Sequence, residues 1–267
     1  MRVVAIGAHP DDIELGCGGA LLAHRRAGDE VTMLVMTPGQ IGPQGMVTRT
    51  DEQREAAVAL GAHLCWGGFL DGSVPDGVEA VSAIQHVIER AGADVVYTHS
   101  IHDTHQDHRA AARATFAAAR RVSRVLCYEA PSAVDFAPTI FLDIDGMVEA
   151  KVDLVRTHLS QVLGCGLVDL QAVTAQARFR GFQARCRHAE AFEGHRFLWE
   201  RAPRRSGHAV EVGERAMEVG EHAREVAEPA AGEAGTGAGC APGGPHGARP
   251  AGGERDAGPR PGAGGPA

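Results

Sequence analysis

Short apolar runs alternate with helix-like segments through the first 130 residues, and this alternation constrains the fold more than any other feature of the chain. Runs rich in Val, Leu and Ile occupy 3–6, 31–36, 63–66, 94–98 and 124–128. Between them, helical patterns cover 16–27, 49–60, 77–91 and 107–121, several closed by a glycine, as at Gly28, Gly61 and Gly92. Glycine after the last helical turn takes the left-handed backbone that ends a helix, so these positions read as stops. Strand–helix alternation predicts right-handed βαβ units and an α/β fold: a Rossmann-like, mostly parallel open sheet with helices on both faces. In the common doubly wound order 3-2-1-4-5, the loops leaving strands one and four face each other where such sheets bind ligands.

After residue 128 the pattern changes. The sequence predicts one more strand over 139–144, a long amphipathic helix over 145–163 and a mostly helical stretch over 167–197, together a C-terminal helical cap. The division expected is a catalytic domain over 1–200 and a low-complexity tail over 201–267. Beyond Trp199 there is no Ile, Leu, Phe, Trp or Tyr. Such a segment buries too little apolar surface to offset the entropy of ordering, and disorder is expected. Three heptads starting at Glu211, Glu218 and Glu225 repeat only a valine at an apolar position, with Gly213 and Gly220 beside two of them. That makes a marginal helix at best.

The formal net charge of −8, with no basic stripe, argues against nucleic acid as a partner. Six cysteines lie without paired spacing and read as reduced thiols, several of them buried. No apolar run approaches membrane-spanning length and no leader pattern precedes residue 9, so a cytoplasmic protein without stable membrane insertion is expected. Nothing in the sequence decides for or against a homo-oligomer.

Two runs carry the chemistry. Ala8-His9-Pro10-Asp11-Asp12-Ile13-Glu14 follows the first strand, and His102-Asp103-Thr104-His105-Gln106-Asp107-His108 follows the fourth. They put four histidines and five carboxylates on two loops that the predicted strand order makes neighbours. His9 and Asp12 are three residues apart where the chain enters a helix, and so are His105 and His108. Two neutral imidazoles and one carboxylate leave a coordination position open, as in a catalytic rather than a structural zinc site. A spare carboxylate would serve as base and a spare imidazole would stabilise an oxyanion.

These residues resemble the LmbE-like or PIG-L family of zinc-dependent N-deacetylases. The first motif, continued by Leu15-Gly16-x-Gly18-Gly19, is the most specific. Arg49 with Glu52, Leu70-Asp71-Gly72, Lys151 with His158-Leu159-Ser160-Gln161, and Ala189-Glu190-Ala191-Phe192 resemble further family motifs in the family's order. The resemblance spans roughly residues 1–199. It implies one Zn2+ per chain, or another divalent metal, on His9, Asp12 and His108. Asp11 would be the general base and His105 the oxyanion stabiliser. Asp107 would fix a histidine tautomer, and Arg49 and Asp71 would hold sugar hydroxyls of a small amino-sugar substrate. Gln106 stands where the family usually has Pro, and Ala184-Arg185 where a glycine is usual. Glycosylated natural products and thiol-sugar conjugates are substrate types associated with the family.

Each residue also has a plainer explanation. Asp11 or Asp12 could simply cap the first helix, and Glu14 could serve its dipole, with support of the His9 loop as the alternative. His99 and His102 read as pocket or loop residues rather than ligands, and His158 as either core or site. Gly16, Gly18 and Gly19 read as close helix packing against the sheet, and 38–47 as a candidate lid. A metal-dependent phosphoesterase, an iron oxygenase with a two-histidine, one-carboxylate site, and a non-catalytic ligand-binding module remain the competing functions at this level.

Overall fold

A computed structural model of the chain describes residues 1–42, 45–164 and 166–199. The tail expected over 201–267, its heptads, and part of the candidate lid lie outside the described residues, as do Cys165 and Cys240. The central parallel strands are β1 (Arg2–Gly7), β2 (Glu30–Val35), β3 (His63–Trp66), β4 (Val95–His99) and β5 (Arg124–Tyr128). Two further strands, β6 (Ile140–Asp143) and β7 (Ala189–Phe197), join antiparallel. The sheet order is β3-β2-β1-β4-β5-β7-β6. The parallel part follows the expected 3-2-1-4-5 order, so β1 and β4 are adjacent and paired through Val3–Ala5 with Val95–Tyr97.

Helices α1 (Asp12–Arg26), α2 (Gly45–Leu60), α3 (Val78–Ala91), α4 (Gln106–Ala118), α5 (Val148–Arg156) and α6 (Leu170–Ala184) complete the fold. Strand residues alternate between faces, so β1 feeds two cores. Val3 and Ala5 pack with Ile13, Cys17 and Leu21 of α1, while Val4 and Ile6 pack with Ile84 of α3 and Ala111 of α4. No helix among the described residues is long and apolar enough to cross a membrane. Cys17 and Cys127 are buried, Cys65 and Cys186 are partly so, and all four are free thiols.

Helix α1 begins at Asp12, four residues before the expected start at 16, because the glycines lie inside it rather than ahead of it. Gly16 lets the helix touch the sheet: a Cβ there would come within 2.1 Å of the Tyr128 ring. The helix is kinked at Cys17, where φ is −142° and ψ is 18°. Past the kink, the Gly19 and Ala20 amides donate to the two oxygens of the Glu190 carboxylate, each at 2.7 Å. Lys151 Nζ donates to Glu190 Oε1 at 2.6 Å and to Leu15 O at 2.7 Å. The buried Lys–Glu pair therefore satisfies backbone groups that the kink takes out of the helical ladder.

The cap departs from expectation in two places. The long helix expected over 145–163 ends at Arg156, with a separate π-type turn over Ser160–Gly164. Ser160 gives both its amide and its hydroxyl to the Glu52 carboxylate of α2, at 2.7 and 2.6 Å, and this tertiary bond draws the segment out of the helix. The helix expected to run through 197 stops at Ala184, and Arg185 turns the chain in the left-handed conformation at φ 64°. Residues Ala189–Phe197 then form β7, held between β5 and β6. Sheet neighbours on both sides override the helical leaning of its Ala and Glu residues.

Candidate active site

The loops leaving β1 and β4 meet at the carboxyl edge of the sheet, and most of the singled-out residues meet there. Asp12 sits between two imidazoles: its Oδ2 is 3.4 Å from His9 Nδ1 and its Oδ1 is 3.4 Å from His108 Nε2. All three side chains are buried. His105 joins them, and donor atoms of His9, His105 and His108 lie within 4.8 Å of one another.

Hydrogen bonds fix what each imidazole can do. His105 is the N-cap of α4, and its Nδ1 accepts the Asp107 amide at 3.2 Å. A backbone amide is an obligate donor, so the remaining proton of neutral His105 sits on Nε2, available to an anionic oxygen. His108 Nδ1 donates to Asp103 Oδ2 at 2.9 Å, which leaves the Nε2 lone pair facing Asp12. His9 Nε2 lies 3.2 Å from Asp107 Oδ2 and 3.1 Å from Asp71 Oδ1, leaving Nδ1 toward Asp12. Carboxylates behind both histidines orient them as ligand-supporting carboxylates do. Asp107 thus lies against His9 Nε2. Asp103 does the same for His108, a role that sequence reasoning does not assign to it. Its two-residue spacing to His105 is the signal that could have found it.

The site draws positive charge. Burial works to lower His9, yet Asp107, Asp12 and Asp71 raise it to about 11. His108, also lowered by burial, is raised to about 9 by Asp12 and Asp103. Burial alone would raise the Asp12 carboxyl, but His108, His99 and His9 hold it well below the usual range. Burial and its two imidazole neighbours lower His105.

Asp11 stands apart. It occupies the N-cap position of α1 but makes no capping bond with its side chain, so the simple capping explanation fails for it. Its φ is 92°, a left-handed backbone that costs a non-glycine residue on the order of 1–3 kcal/mol. Burial, with Asp12 adjacent, pushes its carboxyl up to about 7 against the pull of His158 and Arg49. Its backbone amide donates to Gln53 Oε1 at 3.2 Å.

The remaining expectations fall into place unevenly. Arg49 is buried, donates to Pro10 O at 2.7 Å and lies 3.6 Å from Asp11 Oδ2. Gly39, at φ 66°, passes directly over it: a Cβ there would be 2.6 Å from Arg49 Nη1. Asp71 meets His9 with one oxygen and accepts the Ile41 amide with the other at 3.0 Å, which ties the described part of the 38–47 loop to the site. Glu14 does not reach His9. Its Oε1 accepts Gln53 Nε2 at 2.7 Å and its Oε2 lies 3.5 Å from His158 Nε2. His99 Nε2 accepts the Ala8 amide at 3.1 Å, so that lone pair is spent, and burial with His108 nearby lowers the ring to about 4. His102 is exposed and outside the cluster.

Known proteins resemble this chain. The family model described as PIG-L, GlcNAc-PI de-N-acetylase, matches residues 4–119. The chain is 35% identical over 167 residues to the uncharacterized deacetylase YaiS of Escherichia coli K12, covering 59% of this chain and 90% of that protein. It is 29% identical over 186 residues to the diacetylchitobiose deacetylase of Thermococcus kodakarensis, covering 60% of this chain and 70% of the relative. Among solved structures, the conserved protein TT1542 from Thermus thermophilus is similar with a TM-score of 0.68 and 28% identity. That likeness covers 76% of this chain and all of the other.

Proposed function

Since the chain belongs to the PIG-L family of N-deacetylases, we propose that it is a divalent-metal amidohydrolase that removes an acetyl or other acyl group from the nitrogen of an amino sugar or its conjugate. The observation that carries this reading is the juxtaposition at one point of the sheet edge. A buried carboxylate with no capping bond, Asp11, adjoins a cluster of two oriented imidazoles and a carboxylate. The diacetylchitobiose deacetylase among its relatives supports the amino-sugar class.

The donor set fits a catalytic metal. His9 and His108 each have one nitrogen engaged by a carboxylate and the other turned toward Asp12, and two imidazoles with one carboxylate suit Zn2+. An ion held there would supply Lewis acidity, polarising an amide carbonyl and acidifying water. The protein's own groups do the rest. Asp11 takes the proton of the attacking water and passes it to the departing amine nitrogen. His105 Nε2–H donates to the oxygen that gains charge as the carbonyl carbon becomes tetrahedral. Arg49 and Asp71, beneath the 38–42 segment, would meet sugar hydroxyls.

The test is acetate release from a panel of N-acetyl amino sugars including N,N′-diacetylchitobiose, before and after chelation and re-addition of Zn2+. Turnover that survives complete metal removal would sink this reading. So would two required metals per chain, since the proposed set of His9, Asp12 and His108 holds a single ion.

A further inference from the structure

A buried polar chain leads from the Asp11 backbone into α2 and back to α1. Gln53 on α2 is fully buried and uses both ends of its amide. Its Oε1 accepts the Asp11 backbone N–H at 3.2 Å, and its Nε2 donates to Glu14 Oε1 at 2.7 Å. Glu14 is itself buried on the first turn of α1, with His158 3.5 Å from its other oxygen. The Asp11 backbone therefore sits at the end of a bond path that leaves α1 at Glu14, crosses to α2 and returns to the loop. Asp11 also has the unfavourable φ of 92°, and its side chain makes no capping bond. A strained residue persists only when its surroundings over-determine it. Arg49, from the same helix as Gln53, holds the carbonyl of the preceding residue, Pro10.

We propose that Gln53 is a positioning residue for Asp11. Oriented by Glu14, its amide clamps the Asp11 backbone in the left-handed conformation that aims the carboxylate at the reaction centre. The inference rests on Asp11 being the proton-transfer group, and it adds a requirement that no residue touching substrate supplies. The amide orientation matters because Glu14 accepts only, so Gln53 must present its nitrogen to Glu14 and its oxygen to Asp11.

That directionality gives the test. Gln53→Leu removes both bonds at similar volume. Gln53→Glu keeps an acceptor for Asp11 but sets two carboxylates against each other. Combining Glu14→Gln with Gln53→Glu reverses the bond between residues 14 and 53, keeps the acceptor for Asp11 and conserves charge. Two readouts on the full chain are needed: hydrogen exchange of the Asp11 backbone amide, and steady-state acetate release by the zinc-loaded protein on the best substrate of the panel.

Both single variants should speed exchange at the Asp11 amide about tenfold or more. They should lower kcat by roughly 10- to 100-fold with KM and bound zinc unchanged. The double variant should recover both readouts to within about threefold, and it keeps the test open if Gln53→Leu fails to fold. Unchanged Asp11 exchange in the single variants would overturn the proposal. So would a double variant no better than Gln53→Glu, or a loss of kcat explained entirely by lost zinc. A fully active Asp11→Asn protein would overturn the role of Asp11 instead. Amide exchange, which does not depend on turnover, separates the two failures.

Discussion

Residues 102–108 and residues 8–14 each bring imidazole and carboxylate groups to the same point, but they are held differently. In the second loop the imidazoles are oriented by neighbours in sequence: Asp103 accepts from the His105 amide and from His108 Nδ1, and the Asp107 amide donates to His105. The Ser132 hydroxyl, 3.3 Å from His108 Nδ1, comes from further away. The first loop has one such local bond, from the His9 amide to Asp12. Otherwise it depends on Thr37, Arg49, Gln53, Asp71, His99 and Asp107, which are 29 to 98 residues distant. The second loop also makes distant bonds, with Ser132, Val134, Gly72 and Val74, but its imidazoles are set locally and none of its residues has positive φ. The loop braced from elsewhere carries the one strained acidic residue of the cluster, because distant supports can hold a backbone that its own sequence would not choose.

The sharpest way to break this contrast is Asp11→Asn. Asparagine tolerates positive φ, so the fold and bound metal should persist with Tm equal to or above that of the parent. The kcat should nevertheless fall by about 10³-fold, within the range for losing a general base. Calorimetry and steady-state kinetics check the two halves, and a fall in Tm matching the fall in rate would show that Asp11 was structural. Asp103→Asn tests the self-braced loop. Its effect should appear in metal affinity, weakened by about 10- to 100-fold in a chelator competition, and the first loop should be unaffected.

A smaller effect should appear in the pH dependence of stability. Burial would lower His158, but Glu14, with Asp11 and Glu52, raises it above its ordinary 6.5. The charged ring then contributes stability that is complete below about 6.5 and is lost as pH rises through its elevated folded value. Urea midpoints of the metal-free protein measured upward from about pH 6 should decline across that window, and His158→Phe should flatten this component. A decline of the same size in the variant would assign it to other groups. The smallest effect is a control outside both loops. Arg185 also has positive φ, at 64°, but touches no site residue. Arg185→Gly should stabilise the fold by about 0.5–1 kcal/mol with kcat unchanged, so that relief of strain costs activity at Asp11 and not here.

The same contrast explains what can be read from the sequence. Strands 63–66 and 124–128 and the 3-2-1-4-5 order follow from local apolar patterning, and the structure has them as expected. His9, Asp12, His105 and His108 stand in short motifs whose spacing already suggests a shared ion. Gln53 is invisible at that level because an isolated glutamine in a polar helix gives no pattern, and its role exists only once α2 is docked. Strand β7 escapes for a similar reason: Ala-Glu-Ala favours helix until β5 and β6 offer partners. The break after Arg156 likewise depends on Glu52, more than a hundred residues earlier. The zinc assignment rests on donor chemistry.

The Glu190 carboxylate joins the second half of α1 across 171 residues of chain. During synthesis, the helix that begins at Asp12 must therefore wait for β7 before its kinked middle is satisfied. Until then the Gly19 and Ala20 amides have only water to bond, and Lys151 has no counter-charge. The middle of α1 is thus completed only by a strand that lies far later in the chain. On the proposed function, metal capture by His9 and Asp12 would then be coupled to completion of the sheet rather than to emergence of the motif.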